Sequence, residues 1–406
     1  MPDDNVGGWR KDVVEALKAL KPEIIRTGGS VIEAPNYGDF DWHYLVGDPD
    51  KRTPFYAWGG LQNPKAGLGE FIDLCRMVGA EPLICIPFSR RTPEYAAEMV
   101  EYFNGSADTR MGALRAKHGH PEPYKVKYWQ VGNECFGKDY DDGVKAFCEA
   151  VLKVDPTVTL LANYPTEGTF RCAGEVIDFV CPHHYECDKL EYCQSDFDNI
   201  RKMARDLAPG RNIKVAVTEW NTTAGDWPRR AMLWTLSNAL ACSRYHNLMH
   251  RNADIVEIAN RSNLTNSFCS GIIQTDNHRL FKTPTYYAQH LYSNLAGSIP
   301  LRIDGTGSPD ISATLSDEQG ELILFVVNDT VKPVKADIDL SEFGLHAQKA
   351  ECWVLADRKK AGEPDAANSF AEPERISPRQ SSMNWPQDVQ KVQFAPLSLT
   401  VLRLKV

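Results

Sequence analysis

No Gly-x-Gly-x-x-Gly turn follows any strand-like run in this sequence, which removes the fingerprint of dinucleotide-binding α/β folds. No run approaches ~18 uninterrupted apolar residues, so the sequence offers no candidate membrane helix. The opening residues, MPDDNVGGWRKD, hold no apolar segment of the secretory type, so a cytoplasmic location is expected. No Lys/Arg-rich run long enough to make a basic face occurs, and the net charge is -9. A nucleic-acid partner needs a basic face to meet phosphates, so that class is excluded. The 11 cysteines include no Cys-x-x-Cys pair. Cys172, Cys181, Cys187 and Cys193 fall close together, yet their spacing is not that of a zinc site. An odd number of cysteines inside apolar runs such as LICIPF and DFVCPHHY reads as buried free thiols in a reducing compartment. No metal and no organic cofactor is expected. Repeats of ~20–50 residues are also missing, which excludes solenoids and propellers.

What is present is an ordinary globular composition, 43% hydrophobic and 24% charged over 406 residues. From residue 10 to about 295, helical patterns alternate with short apolar runs. Lys11–Leu20 places Val13, Val14, Leu17 and Leu20 on one helical face. Strand-like runs follow at Glu23–Arg26, Glu81–Phe88, Lys127–Glu134, Val158–Tyr164, Val176–Tyr185, Lys214–Trp220 and Asp254–Ala259, with helical stretches between them. Strands buried on both faces read as continuous apolar runs, and strand–helix alternation implies a parallel sheet. Seven such units suggest a (β/α)8 TIM barrel more than an open sheet. The strand expected before the first helix is missing, because MPDDNVGGWR does not read as one. From about 297 the pattern becomes strand-like runs separated by turn residues: Ile311–Leu315, Leu322–Asn328, Ala336–Leu340, Ala350–Leu355 and Leu397–Val406. The expectation is a catalytic barrel over 1–296 and a C-terminal antiparallel β-sandwich over 297–406. The polar, proline-containing stretch 357–392 reads as a long surface loop.

Polar residues gather at the C-terminal ends of the barrel strands, where such barrels keep their chemistry: Arg26, Asn133, Glu134, His183, His184, Tyr185 and Glu219. Glu134 ends the run KYWQVGNE and Glu219 ends KVAVTEW. A carboxylate closing an apolar run is costly to bury without a partner or a purpose. The two lie three strand units apart, so they face each other across the barrel mouth if a missing strand is counted first. Two carboxyls at ~5–5.5 Å form a retaining glycosidase pair, whereas inverting enzymes separate them by ~6.5–9.5 Å. The plainer alternative is that each glutamate sits in an ordinary ion pair with a lysine or arginine.

Val131–Glu134 (VGNE) and Thr218–Asn221 (TEWN) resemble the acid/base and nucleophile motifs of clan A glycoside hydrolases. The ordered set RTGGS, FDWHYLVGDPDKR, LGEFIDLCRMVGAEPLICIPF, DFVCPHHY, KVAVTEWN, TPTYYAQHLYSNLAG and PLSLTVLRLKV is similar to glycoside hydrolase family 51, mainly α-L-arabinofuranosidases with some endoglucanases. The resemblance covers nearly the whole chain. It implies an exo-acting, retaining α-L-arabinofuranosidase that releases terminal arabinofuranosyl groups from plant polysaccharide fragments. Glu134 would be the general acid/base and Glu219 the nucleophile. Asn133 would bond a sugar hydroxyl, Arg26 would hold the nucleophile or a sugar oxygen, and His183 and Tyr185 would line the pocket.

Several of these residues keep a second reading. Arg26 can simply neutralise a barrel-mouth acid, Tyr185 can be core, and either His183 or His184 is the pocket residue. Trp42, Tyr44, Phe55, Tyr56, Trp58 and Trp220 are either sugar platforms or locally packed aromatics. The family's Arg-x-Pro-Gly-Gly-Asn stands here as Arg26-Thr27-Gly28-Gly29-Ser30, one residue short and with serine for a sugar-contacting asparagine. The family's first strand, with its sugar-contacting Glu, would precede Met1, and a Gln expected after the last strand aligns on Cys269. These departures leave the reaction class standing and touch the sugar pocket. A β-glycosidase or endoglucanase of the same clan is the nearer alternative. A non-catalytic carbohydrate-binding protein derived from this fold is the alternative of another class. Homo-oligomerisation is common in the family and is carried as an expectation of the resemblance.

Overall fold

The computed structural model describes residues 4–33, 40–57, 60–224, 229–267, 271–305, 307–316, 320–345 and 347–406. Helix α1 (Lys11–Leu20) buries Val14, Ala16, Leu17 and Leu20, and Lys21 closes it in the left-handed conformation. Seven parallel strand units follow: β1 (Ile24–Thr27), β2 (Glu81–Ile86), β3 (Tyr128–Val131), β4 (Thr159–Asn163), β5 (Phe179–Cys181, continued by His183–His184), β6 (Lys214–Trp220) and β7 (Val256–Arg261). Between them run α2 (Leu68–Val78), α3 (Pro93–Asn104), α4 (Arg110–Lys117), α5 (Lys138–Val154), α6 (Glu167–Ala173), α7 (Leu190–Leu207) and α8 (Leu236–Arg251). Ladders join the strands in chain order from β1 to β7.

The sheet curls until β7 stands beside β1, where the Asn260 side chain donates to the Ile24 carbonyl at 3.2 Å. Among the described residues no ladder joins β7 to β1. The described strands thus form a curled, barrel-like parallel sheet of seven strand units with no closing ladder. Asn5–Val6 and Trp9–Arg10 pair with each other in a small hairpin and add no strand to the barrel sheet. The continuous apolar runs have the anticipated cause, because both faces of the sheet are covered. Leu83, Leu161, Phe179, Cys181, Ala216 and Ile258 form one apolar cluster. Alternate residues such as Ile84, Leu160, Val180 and Val215 belong to a larger one shared with the helices. Because side chains alternate across a strand, these two sets mark its opposite faces.

Helix α9 (Pro284–Leu295) leads into a six-stranded antiparallel sheet. Its strands are β8 (Ile299–Leu301), β9 (Asp310–Ser316), β10 (Glu321–Asn328), β12 (Gln348–Leu355), β13 (Arg379–Trp385) and β15 (Ser398–Lys405), in the order β8-β9-β10-β15-β12-β13. A ribbon of β11 (Val334–Asp339) and β14 (Val389–Phe394) completes the sandwich. Ile338, Val392 and Phe394 of that ribbon pack with Leu322, Leu324 and Leu402 of the sheet. The opposite face of β10, with Ile323, Phe325 and Val327, packs with Leu236 and Leu240 of α8 and with Tyr286 and Tyr292 of α9. The Tyr292 ring stacks on Phe325 at 4.3 Å. Helix α8 is thus covered on nearly all sides, which explains its weak amphipathic pattern.

Residues 357–392, expected as a surface loop, behave otherwise. They supply β13 and most of β14, and Trp385 and Ile376 are fully buried. The carbonyls of Ala366 and Pro364 accept from the Leu236 and Ser237 amides, which satisfies the first turn of α8. The stretch was misread because its polar residues alternate with few buried ones, and the contacts that hold it lie far away in the chain. No helix among the described residues is long and apolar enough to cross a membrane.

Candidate active site

The C-terminal ends of β1, β3, β5 and β6 converge on one polar cluster. Arg26 leaves β1 and reaches across the barrel mouth. Its Nε donates to Gln130 Oε1 at 2.9 Å, its Nη2 donates to Asn133 Oδ1, and its Nη1 meets Glu219 Oε1 at 2.8 Å. Only 8% of the Arg26 side chain and 14% of the Glu219 side chain is exposed. The other Glu219 oxygen accepts from the Tyr185 hydroxyl at 2.5 Å, and that hydroxyl also lies 3.0 Å from Ser262 Oγ. His183, directly beside Glu219 in the β5–β6 register, places Nδ1 3.1 Å from Glu134 Oε1 and 3.8 Å from Glu219 Oε2. Its Nε2 lies 3.1 Å from Thr218 Oγ1. One ligand atom each from Glu134, His183 and Glu219 lie within 4.8 Å of one another.

The two carboxylates have unlike surroundings. Burial pushes the Glu219 carboxyl up, but His183, Arg26 and Tyr185 together outweigh it and hold the group below its ordinary value. Glu219 is therefore an anion pinned by donors on both oxygens. Glu134 is more open, with 38% of its side chain exposed. It sits on a left-handed backbone, φ 54°, after Gly132 at φ 78°. A non-glycine residue rarely adopts that conformation, and here it turns the carboxyl back over the barrel mouth instead of along the chain.

The glycines after β1 have a steric cause. A Cβ on Gly28, at φ 121°, would lie 2.5 Å from Cys85 Cβ, and Gly29 takes a left-handed φ of 69° that side chains rarely adopt. Ser30, which stands where the family has asparagine, turns its hydroxyl toward Glu134 Oε2 at 3.4 Å. Glu33, in the same single helical turn Ser30–Glu33, accepts from the Phe88 and Ser89 amides and ties that turn to the end of β2.

Of the residues singled out from the sequence, Arg26, Asn133, Glu134, His183, Tyr185 and Glu219 lie in the cluster. His183 faces the carboxylates. Its neighbour His184 is buried behind them, 2.6 Å from the Tyr245 hydroxyl and 3.0 Å from Asp196 Oδ2. The aromatic candidates divide. Trp42 and Trp220 are fully buried, Trp42 stacking on His43 and Trp220 packing on Tyr245 and His246, so neither is a platform. Tyr44 stacks on Phe55, Tyr56 is exposed, and Trp58 and Cys269 lie outside the described residues. The glutamate pair with His183 is the one group of described residues spaced to hold a cation, and Arg26 already neutralises Glu219. The four clustered cysteines form no such group among the described residues.

Sequence reasoning missed Gln130, Thr218, Ser262 and Tyr164. Gln130 is fully buried and uses its amide nitrogen on the Gly132 carbonyl at 2.9 Å. A lone glutamine inside YWQV was the available signal. Tyr164 carried none, because it reaches the site only through its backbone, φ 38°.

Two family models cover most of the chain. One described as the α-L-arabinofuranosidase 1 domain matches residues 16–205, and one described as the α-L-arabinofuranosidase C-terminal domain matches 218–398. A probable α-L-arabinofuranosidase C of Aspergillus niger is 36% identical, covering 100% of this chain and 90% of that protein. Counterparts from Aspergillus clavatus and Emericella nidulans are also 36% identical, in alignments spanning 40% of this chain and 33% of theirs. An intracellular exo-α-L-arabinofuranosidase of Bacteroides ovatus is 24% identical over 99% of this chain. Among solved structures, an arabinose complex of α-L-arabinofuranosidase from Thermotoga maritima superposes with TM-score 0.87 at 26% identity, covering 100% of this chain and 92% of that one. The family 51 enzyme of Thermotoga petrophila gives 0.88 at 26%, with the same coverage.

Proposed function

Because the chain belongs to the α-L-arabinofuranosidase family, glycoside hydrolase family 51, we propose that it is an exo-acting, retaining α-L-arabinofuranosidase working through Glu134 and Glu219. The observation that carries the reading is the close, asymmetric carboxylate pair. One oxygen from each group lies within 4.8 Å of the other, which supports the short ~5–5.5 Å spacing of a retaining pair over the ~6.5–9.5 Å of an inverting one. Glu219 is the nucleophile. Its ionised form, held by Arg26 and Tyr185, attacks the anomeric carbon and forms a glycosyl-enzyme. Glu134 protonates the departing oxygen, then takes a proton from the water that releases the sugar. Asn133, whose Oδ1 accepts from Arg26, has a buried amide nitrogen with no partner among the described residues. An unpaired buried donor is costly, and a sugar hydroxyl would satisfy it.

Terminal arabinofuranosyl groups on plant polysaccharide fragments are the proposed substrate, and the reaction needs no metal or organic cofactor. The described cysteines are all free, which supports a cytoplasmic setting. The test is hydrolysis of a panel of aryl glycosides, with the first-formed sugar anomer followed by NMR. Turnover of the arabinofuranoside with retention is expected. An inverted first product, or preference for a β-glucoside, overturns the reading. Sugar binding by calorimetry with no turnover of any substrate would favour a non-catalytic protein instead.

A further inference from the structure

Two aromatic side chains beside the site, Phe136 and Tyr164, have no part in the steps above. Phe136 follows the acid/base residue by two positions and is 70% exposed, the most exposed of the large apolar side chains in the described structure. Its ring meets Tyr164 edge-on at 6.0 Å, and Tyr164 in turn lies 5.5 Å from the His183 ring. An exposed phenylalanine costs free energy in water and, singly, is ordinary on a protein surface. This one is not on a loose loop. The Tyr140 hydroxyl donates to the Val131 carbonyl at 2.7 Å and accepts from the Asn163 amide at 2.6 Å. The Asn163 side chain donates to the Cys135 carbonyl at 3.2 Å. The turns after β3 and β4 are thus latched together on either side of the exposed ring.

The backbone supports the same reading. Tyr164 takes a left-handed conformation, φ 38°, and Gly137 ends the Phe136 turn at φ 89°. A bulky residue held at positive φ is strained, and such strain persists where surrounding structure fixes it. The Tyr164 ring lies between those of Phe136 and His183, at 6.0 and 5.5 Å. Burial first, and then the Glu134 and Glu219 charges, raise the Tyr164 hydroxyl above its usual value, so it stands as a neutral donor facing the pair.

The direction of the chemistry assigns the pair a side. Glu219 lies deeper, against Arg26, and meets the anomeric carbon. Glu134 protonates the leaving oxygen, so whatever flanks Glu134 on its open side flanks the leaving group. We propose that Phe136 and Tyr164 form the platform for the first sugar of the leaving group, Phe136 stacking on the apolar face of that ring and Tyr164 closing its edge. The occupant is a pyranose or furanose ring of an oligosaccharide. An aromatic ring on a rigid support gains contact area while losing little freedom, which suits this use. The proposal rests on the arabinofuranosidase reading above and adds where the leaving sugar binds.

The experiment compares an arabinofuranosyl disaccharide with methyl α-L-arabinofuranoside, whose leaving group has no ring to stack. For Phe136→Ala, the ratio of kcat/KM on the disaccharide to that on the methyl glycoside should fall about tenfold, carried mainly by KM, as loss of one aromatic contact implies. Phe136→Trp should restore the ratio. A ratio left unchanged overturns the platform, whether both substrates suffer equally or neither does. Wild-type protein that cleaves neither glycoside overturns the arabinofuranosidase reading itself, and the platform falls with it; a wild type active on both with an unmoved ratio in the variant overturns the platform alone.

Discussion

Replacing Arg26 with methionine keeps most of the side chain's volume and removes its charge. In the folded protein the Arg26–Glu219 pair is almost sealed from water, at 8% and 14% side-chain exposure, so the small value of a surface ion pair does not apply. A cation in contact lowers a carboxyl pKa by about 1–3 units. Losing it while Tyr185 and His183 remain should move the Glu219 carboxyl up from its depressed value. Only the ionised nucleophile reacts, so the acid limb of kcat/KM against pH must move to higher pH in Arg26→Met. Stability follows with a definite sign. Glu219 is held below its ordinary value, so its contribution is present above the unfolded-state pKa and is lost as pH falls through the folded one. The Tm gap between wild type and variant is therefore widest near neutral pH and narrows in acid. At neutral pH it should correspond to about 3–5 kcal/mol, the penalty for leaving a buried charge without its partner. A pH profile of aryl arabinofuranoside hydrolysis and thermal unfolding at several pH values read both effects. An acid limb that stays in place, or a Tm gap that widens in acid, refutes the reasoning.

Three further outcomes are expected. Tyr185→Phe removes one donor from the Glu219 carboxylate and should lower kcat/KM by about 10–100-fold, as loss of a bond to a charged group worth about 1.5–3 kcal/mol implies, with a matching loss of stability; unaltered kinetics would place Tyr185 outside the reaction. His183→Ala should fall mainly on activity, whereas His184→Ala, buried among Tyr245 and Asp196, should fall mainly on stability, by about 1–3 kcal/mol; parallel effects in urea titrations and rate assays would contradict that division. Phe325→Ala opens a hole where the sandwich meets α9 and should destabilise by about 3–5 kcal/mol; a denaturation midpoint that does not move would show that this contact does not hold the two parts together.

The sequence alone decided a large part of this protein. Helix α1, helix α2 and strand β6 lie where periodicity put them, because local hydrophobic spacing is a direct record of which face is buried. The same logic located Glu134 and Glu219, since a carboxylate ending an apolar strand has few structural uses. The resemblance in VGNE and TEWN then named the reaction, and the fold carried those motifs to one place.

Other features were settled only by contacts between residues distant in the chain. His183 and His184 are chemically identical in sequence, and only the pleat of β5, which points neighbours to opposite faces, sends one to the carboxylates and the other to Tyr245. Trp42 and Trp220 could not be told from sugar platforms until packing closed over them. The strand-rich stretch after residue 357 was hidden because its partners lie in α8 and β12, and Tyr164 was hidden because a backbone angle, not a side-chain type, brings it to the site. Sequence thus fixed which groups can do chemistry and which runs must be buried. Tertiary structure chose which of two equivalent groups faces the substrate, because that choice depends on geometry that no local pattern encodes.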